Sequence, residues 1–443
     1  MKFKSLFRKF LITGILSLFV IITAYTQTSI GHTEITKWQY GKNGAVSITY
    51  DDGTINQFRV AVPIMNRLGI PGTFYINTGT LPESKYVGKF IGRSVSKIIE
   101  ETKTIPTNKD NFFERASASR YLGFKGTDAY FTKAGAQFDA NRVEEAYKII
   151  DDLYQRVVAG EFQPQTTSKS GNTDDVLTWD MTRTFAAQGH EFSSHMVTHP
   201  YMCALDEANI MYELEKSREE LLKQIGIRHT IATELPYGTS NKRALNYASK
   251  VYHAARNGIW EPNVLELHRP NRRTPVNNDF EYVMWERGAI SNTSLEQMNA
   301  WVDTTAAQKN IWYVLVIHGI EGIGWEALTE ETVDAHFSYI KSKENDLWVA
   351  TFGDVARYIK QRNSAKVNSS LKGDNIFISL THPLDKKLFD IPLTLKTCVN
   401  PEWKEVSVKQ GKTVAKATVR HESNNAFIIY QAMPGKEVIE ISE

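Results

Sequence analysis

The chain has 443 residues, 42% hydrophobic and 23% charged, enough for one large core and a second, small domain. Its formal net charge is +2, with both signs interspersed and no basic tract beyond the N-terminus. That argues against nucleic acid as a partner and leaves small molecules, glycans or proteins.

In chain order, Lys2, Lys4, Arg8 and Lys9 precede an apolar run from Phe10 to about Tyr25, short for a membrane span. Residues 1–26 therefore read as a secretory signal, and the expected location is periplasmic or extracellular. Ala24, Thr26 and Gln27 give no clean cleavage pattern, and the same segment left uncleaved would be a membrane anchor, the only membrane contact expected. From Ala45, strand-like runs ("AVSITY", "GTFYINTG", "HEFSSH", "TIATELPYG", "WYVLVIHG", "LWVATFG") alternate with helix-like segments. That alternation predicts an α/β domain over 32–362, a parallel sheet or a (β/α) barrel. Between about 80 and 175 the rhythm breaks, with one clear amphipathic helix, "RVEEAYKIIDDLYQRVVAG". This stretch reads as an insertion that either lines a cleft or stabilises the domain. Residues 363–374 read as a linker, and 375–443, with short alternating runs spaced by Gly, Pro and Asn, as a small antiparallel β-sandwich. That module would bind glycan or only pack. Cys203 and Cys398, the two cysteines, read as isolated thiols.

Polar groups follow directly on four predicted strands: Asp51 with Asp52, His195 with His199, Pro236 with Tyr237, and His318. In a (β/α) barrel such positions converge on the C-terminal face, where active sites are built. The i, i+4 histidines of "SSHMVTHP" would face one way on a helical turn and suit a divalent metal. Alone the pair is a weak signal. Two neutral nitrogens and one strand-end carboxylate, however, leave open positions for water and substrate, as a hydrolytic zinc site needs. The doubled carboxylate of "TYDDG" then divides into one metal ligand and one proton acceptor. Without the histidines, aspartates at a strand end would only cap a turn.

The set "TYDDG", "HMVTHP", "LPYG" and "LVIHG", in this order, resembles the motifs of the polysaccharide deacetylases, the NodB-like family 4 carbohydrate esterases. The resemblance implies a distorted (β/α) barrel of the NodB-homology type. It further implies Asp51 as general base, Asp52, His195 and His199 as ligands to a divalent metal, usually zinc, and His318 as general acid. Tyr237, after Pro236, would offer a backbone N–H to an oxyanion, and Leu315 and Trp260 would wall the acetyl pocket. Trp325, in the Gly-rich loop after His318, is the first choice for a substrate contact, ahead of Trp312.

Two positions depart from the family pattern. Glu234 stands where an arginine usually contacts the base, and Arg256 stands near an expected acid. This predicts a tuning pair of reversed polarity. His190 reads as a structural hydrogen-bonding residue, and His229, His253, His268 and His336 as structural or surface residues. The implied activity is metal-dependent removal of acetyl groups from a glycan, an N-acetylated sugar chain or an O-acetylated xylan. The alternatives are a catalytically silent glycan-binding or cell-wall scaffold protein, and a hydrolase of a non-sugar amide on the same fold.

Overall fold

The computed structural model describes residues 29–165, 176–239, 241–256, 258–259, 266–268, 282–422 and 425–443. The expected signal segment and Trp260 lie outside them.

Seven of the ten described strands of the central sheet carry the site: β1 Gly44–Tyr50, β2 Gly72–Ile76, β3 Glu191–Ser194, β4 Ala232–Thr233, β5 Ala254–Ala255, β6 Val283–Gly288 and β7 Ile311–Ile317. They lie in the order β5-β4-β3-β2-β1-β7-β6, every neighbouring pair parallel. Leu347–Val349 adds a further parallel pairing on the first residues of β1. The result is a curled, open half-barrel, the α/β architecture expected from the sequence.

Side chains alternate across this sheet. From β1, Val46, Ile48 and Tyr50 face outward into a core shared with Phe58, Met65, Val302 and Phe337. Ser47, Thr49 and Asp51 therefore face the interior of the curl, and all three are buried.

The outer layer is helical: α1 Val62–Leu68, α2 Val95–Thr102, α3 Phe112–Ser119, α4 Asp128–Asp139, α5 Val143–Val158, α6 Trp179–Ala187, α7 Glu207–Ile225, α8 Lys242–Ala248, α9 Leu295–Gln308, α10 Glu330–Ser342 and α11 Phe352–Ser364. Asp206, Ser294, Thr329 and Thr351 start α7, α9, α10 and α11, each accepting an N–H three residues on and so satisfying a donor the helix leaves open.

Two expectations need correction. The insertion contains four helices, α2 to α5, rather than one. Helices α2 and α3 are only eight residues long, and α3 and α4 meet through aromatic rings, as where Phe112 stacks on Phe138 at 5.0 Å, so no long amphipathic stripe marks them. The expected linker 363–374 is the end of α11 followed by strand Lys366–Lys372, which forms a hairpin with Asn375–Thr381. Its side chains are mostly exposed, and only backbone pairing makes it a strand.

That hairpin opens a two-sheet C-terminal module of antiparallel strands. One sheet holds Lys366–Lys372, Asn375–Thr381, Ile439–Ser442, Glu405–Gln410 and Thr413–Thr418, in that order. The other holds Leu393–Cys398, Asn425–Ala432 and Arg420–Glu422, and takes its edge strand, Thr33–Ile35, from the far end of the chain. One apolar core runs from Trp312 at the barrel floor through Phe352 and Tyr358 of α11 to Ile376, Leu393 and Ile428. Cys203 and Cys398 are both buried free thiols. Among the described residues no helix is long and apolar enough to cross a membrane.

Three buried histidines serve this framework. His190 Nδ1 accepts the Gly72 N–H at 3.0 Å, and His229 Nδ1 accepts that of Phe192 at 3.1 Å. His336 lies 2.8 Å from Asn299 Oδ1. Burial holds His190 and His229 down to about 4 and His336 down to about 3. Near an unfolded value of about 6.5, the unfolded chain binds these protons first, so stability falls as pH falls from there toward 4. The slope expected in equilibrium unfolding is up to about 1.4 kcal/mol per pH unit for each imidazole. His229→Gln, which keeps an acceptor for Phe192, should flatten it.

Candidate active site

The site begins in the turn after β1. The Asp51 N–H donates to Ile317 O at 3.1 Å, continuing the sheet, and its side chain stays on the inner face. Asp52 then takes a φ of 70° and Gly53 one of 68°. A non-glycine residue in the left-handed region is strained, and here the reversal separates two adjacent carboxylates: Asp51 is buried, Asp52 half-buried at the mouth. The Gln57 amide bridges Asp51 O at 2.6 Å and His318 O at 2.7 Å, tying the ends of β1 and β7 together.

His195 leaves β3 with its N–H on Ile76 O, and its Nδ1 donates to Glu234 O at 2.9 Å. That bond fixes the tautomer and leaves Nε2 as a lone pair facing the mouth. His195 Nε2 stands 3.7 Å and His199 Nε2 3.3 Å from Asp52 Oδ1. The donor atoms of Asp52, His195 and His199 all lie within 4.8 Å of one another. Burial lowers the proton affinity of His195, against the pull of Asp51 and Asp52; burial together with His195 holds His199 down to about 3. Two neutral imidazoles with converging lone pairs and one carboxylate fit a divalent cation. The pair is not helical, as its spacing suggested: Met196 (φ 71°) and His199 (φ 56°) make residues 195–199 a left-handed turn.

Arg256, directly after β5, reaches across the interior and clamps Asp51 with two bonds, Nη1 to Oδ1 at 2.7 Å and Nη2 to Oδ2 at 2.6 Å. It also bonds Thr49 Oγ1 at 3.2 Å and lies 3.3 Å from Glu234 Oε1 and 3.6 Å from Glu286 Oε2. All of these side chains are buried. Burial disfavours charge on Asp51, but Arg256, His195 and His318 outweigh it and hold the carboxyl well below the usual range. The residue at 234 is acidic and the cation comes from 256, with the two in contact. Glu286 was not foreseen, although a charged residue inside the apolar run "YVMWERG" is the signal that marks it.

On the other side, His318 Nε2 lies 3.4 Å from Asp51 Oδ2. Trp325 meets the His318 ring edge-on at 4.9 Å and is 58% exposed. Its loop is tight: a Cβ on Gly319 would come within 2.9 Å of the Gly324 carbonyl carbon. Tyr237 (φ 62°) is 46% exposed, meets His199 at 4.7 Å and stacks on Tyr201 at 3.7 Å, while Pro236 is buried beneath it. Leu315 does not reach the site. It lies three residues before His318, on the opposite face of β7, in the core under the outer helices. Val316 is the buried strand residue on the His318 side. Trp312 is core, bonded to Ser47 Oγ at 3.0 Å.

Residues 136–255, covering β3 to β5 with His195, His199, Glu234 and Tyr237, match the family model of the polysaccharide deacetylases. This part of the chain is similar to a polysaccharide deacetylase domain. Among characterised proteins, a gellan lyase from Bacillus sp is 26% identical over 273 residues, 58% of this chain but only 11% of that relative's length. Among solved structures, a family 4 carbohydrate esterase from Bacillus anthracis is 11% identical, with a TM-score of 0.33 and coverage of 71% of this chain and 83% of that one. A family 4 carbohydrate esterase from Streptomyces lividans, in complex with acetate, is 14% identical, with a TM-score of 0.31 and coverage of 69% and 92%.

The charge balance inside the half-barrel gives a direct test. Arg256→Met should cost about 3–5 kcal/mol at pH 7, because it leaves buried carboxylates without their cation. Protonating a carboxylate removes that penalty, so the deficit relative to wild type should shrink when urea unfolding is repeated near pH 5.

Proposed function

We propose that the protein is an exported, metal-dependent hydrolase that removes acetyl groups from a glycan. The observation that carries this reading is the juxtaposition at one barrel mouth of the Asp52, His195 and His199 donors with an Arg256-clamped Asp51 and with His318. Zinc is the proposed metal; when bound it would supply Lewis acidity toward the acetyl carbonyl and toward water.

The chain's own groups take the remaining roles. Asp51 accepts the proton of the attacking water, and the two bonds from Arg256 fix which way its oxygens point. His318, 3.4 Å from Asp51, stands close enough to the same reacting centre to return a proton to the leaving amine or alcohol. The backbone N–H of Tyr237 is assigned to the developing oxyanion. Val316 takes the role of apolar wall that Leu315 cannot fill. The exposed indole of Trp325 offers a face to a sugar ring beside His318. The basic-then-apolar leader supports export.

Acetate release from acetylated chitooligosaccharides and from acetylxylan, with and without added zinc, is the deciding measurement. Turnover by chelator-treated protein would exclude the metal mechanism, and glycan binding without acetate release would favour a silent scaffold. His199→Ala should abolish both stoichiometric metal and acetate release while leaving the melting temperature of the metal-free protein nearly unchanged. Trp325→Ala should raise KM up to about tenfold with kcat little changed, since ring stacking contributes about 0.5–1.5 kcal/mol to ground and transition states alike.

A further inference from the structure

The turn that carries His199 has no helix or sheet to hold it, yet it must place Nε2 within a few ångströms of Asp52. The N–H groups of Thr78 and Gly79 hold Met196 O at 3.0 Å and Val197 O at 2.9 Å, and two side chains outside the turn complete the restraint. Glu213, buried in α7, accepts the N–H groups of Val197 at 2.8 Å and Thr198 at 2.9 Å on Oε2, and the Thr198 hydroxyl at 2.5 Å on Oε1. Arg120, which ends α3 of the insertion, donates from Nη2 to Thr198 O at 3.2 Å and Thr198 Oγ1 at 2.8 Å. Its Nη1 lies 3.6 Å from Glu213 Oε1, and its guanidinium packs at 5.1 Å on the Phe131 ring of α4. A planar fork with several donors spans the turn and Glu213 at once, which a lysine ammonium cannot do. The insertion also shapes the neighbouring wall. A Cβ on Gly135 of α4 would sit 2.5 Å from Tyr201 Cβ, so glycine there lets Tyr201 seat flat against Tyr237.

We infer that Arg120 is a positioning residue for the metal ligand His199, which makes the insertion a structural half of the metal centre rather than a decoration on the barrel. The inference rests on the reading of Asp52, His195 and His199 as metal ligands. Arg120 touches neither metal nor substrate. It acts by holding the peptide units before His199, as partners behind metal ligands do elsewhere, where their loss weakens affinity 10–100-fold.

The test is zinc affinity of the full-length protein by competition with a chromogenic chelator, together with the visible spectrum of the cobalt(II) form. Arg120→Met should weaken zinc binding by about 10–100-fold and alter the cobalt bands. Arg120→Lys, which keeps a cation beside Glu213, should restore most thermal stability while still binding zinc several-fold more weakly than wild type. That separation is what a merely structural role would not produce. Should Arg120→Met fail to fold, Thr198→Val, which deletes the hydroxyl on which Arg120 and Glu213 converge, takes its place with the same direction expected. Arg93→Met, which breaks surface pairs of the same insertion with Glu101 and Glu114, should leave affinity unchanged. Wild-type affinity and spectrum in Arg120→Lys and in Arg120→Met or Thr198→Val would overturn the inference. A wild-type protein that binds no zinc would instead overturn the metal reading beneath it.

Discussion

Arg256 and Asp51 meet inside the curl of an open parallel sheet, and the site is organised around that contact. Removing either charge from water costs several kcal/mol, and only close, two-pronged geometry with further hydrogen bonds offsets it. The protein meets the condition with two bonds between the pair, a third to Thr49, and Glu234 and Glu286 behind the guanidinium. The arginine comes from β5, Asp51 from β1 and Glu286 from β6. Because five strands separate β5 from β6 in the sheet order, the guanidinium also joins strands that have no backbone hydrogen bonds to each other. One side chain therefore orients the proposed base and holds the half-barrel to its curvature.

The neighbouring aspartates show how backbone conformation assigns chemistry. Asp51 follows the strand's alternation inward and meets a cation; Asp52, one residue later at positive φ, turns out to meet two imidazoles. Coulomb repulsion between the adjacent carboxylates is relieved on the Asp51 side by the Arg256 guanidinium. The His195 Nδ1 bond to Glu234 O completes the arrangement: the residue whose side chain faces Arg256 also fixes, through its carbonyl, the tautomer of a proposed ligand.

Much of this was legible in the sequence, and the limits have physical causes. Buried parallel strands announce themselves as apolar runs, and polar residues at their ends stand out, so β1, β3 and β7 with Asp51, Asp52, His195, His199 and His318 could be placed. The meeting of Glu234 with Arg256 followed from two opposite departures from a pattern. Leu315 was misassigned because a one-residue offset on a strand reverses the face, and an apolar run with both faces buried does not reveal which side is inner. Helices α2 and α3 were missed because eight residues are too short a window to show a clear period, and α4 because it meets α3 through aromatic rings. The strand over 366–372 was missed because backbone pairing with 375–381, not a side-chain pattern, creates it. Arg120 had no signal at all: its partners lie far along the chain, and nothing local distinguishes it from a surface arginine.

The edge strand Thr33–Ile35 has a consequence for how the molecule assembles. Thr33 Oγ1 sits 3.0 Å from Thr397 Oγ1, a contact across 364 positions of sequence, and the same C-terminal module seals the barrel floor through α11. Contacts of such separation form late, since the loop they close is long. Thr33–Ile35 therefore has no sheet to join until the C-terminal module has been synthesised. Folding of the α/β domain and of the sandwich is thereby coupled into one event, and a break anywhere between them would leave an orphaned edge and an uncovered apolar floor, a surface prone to self-association.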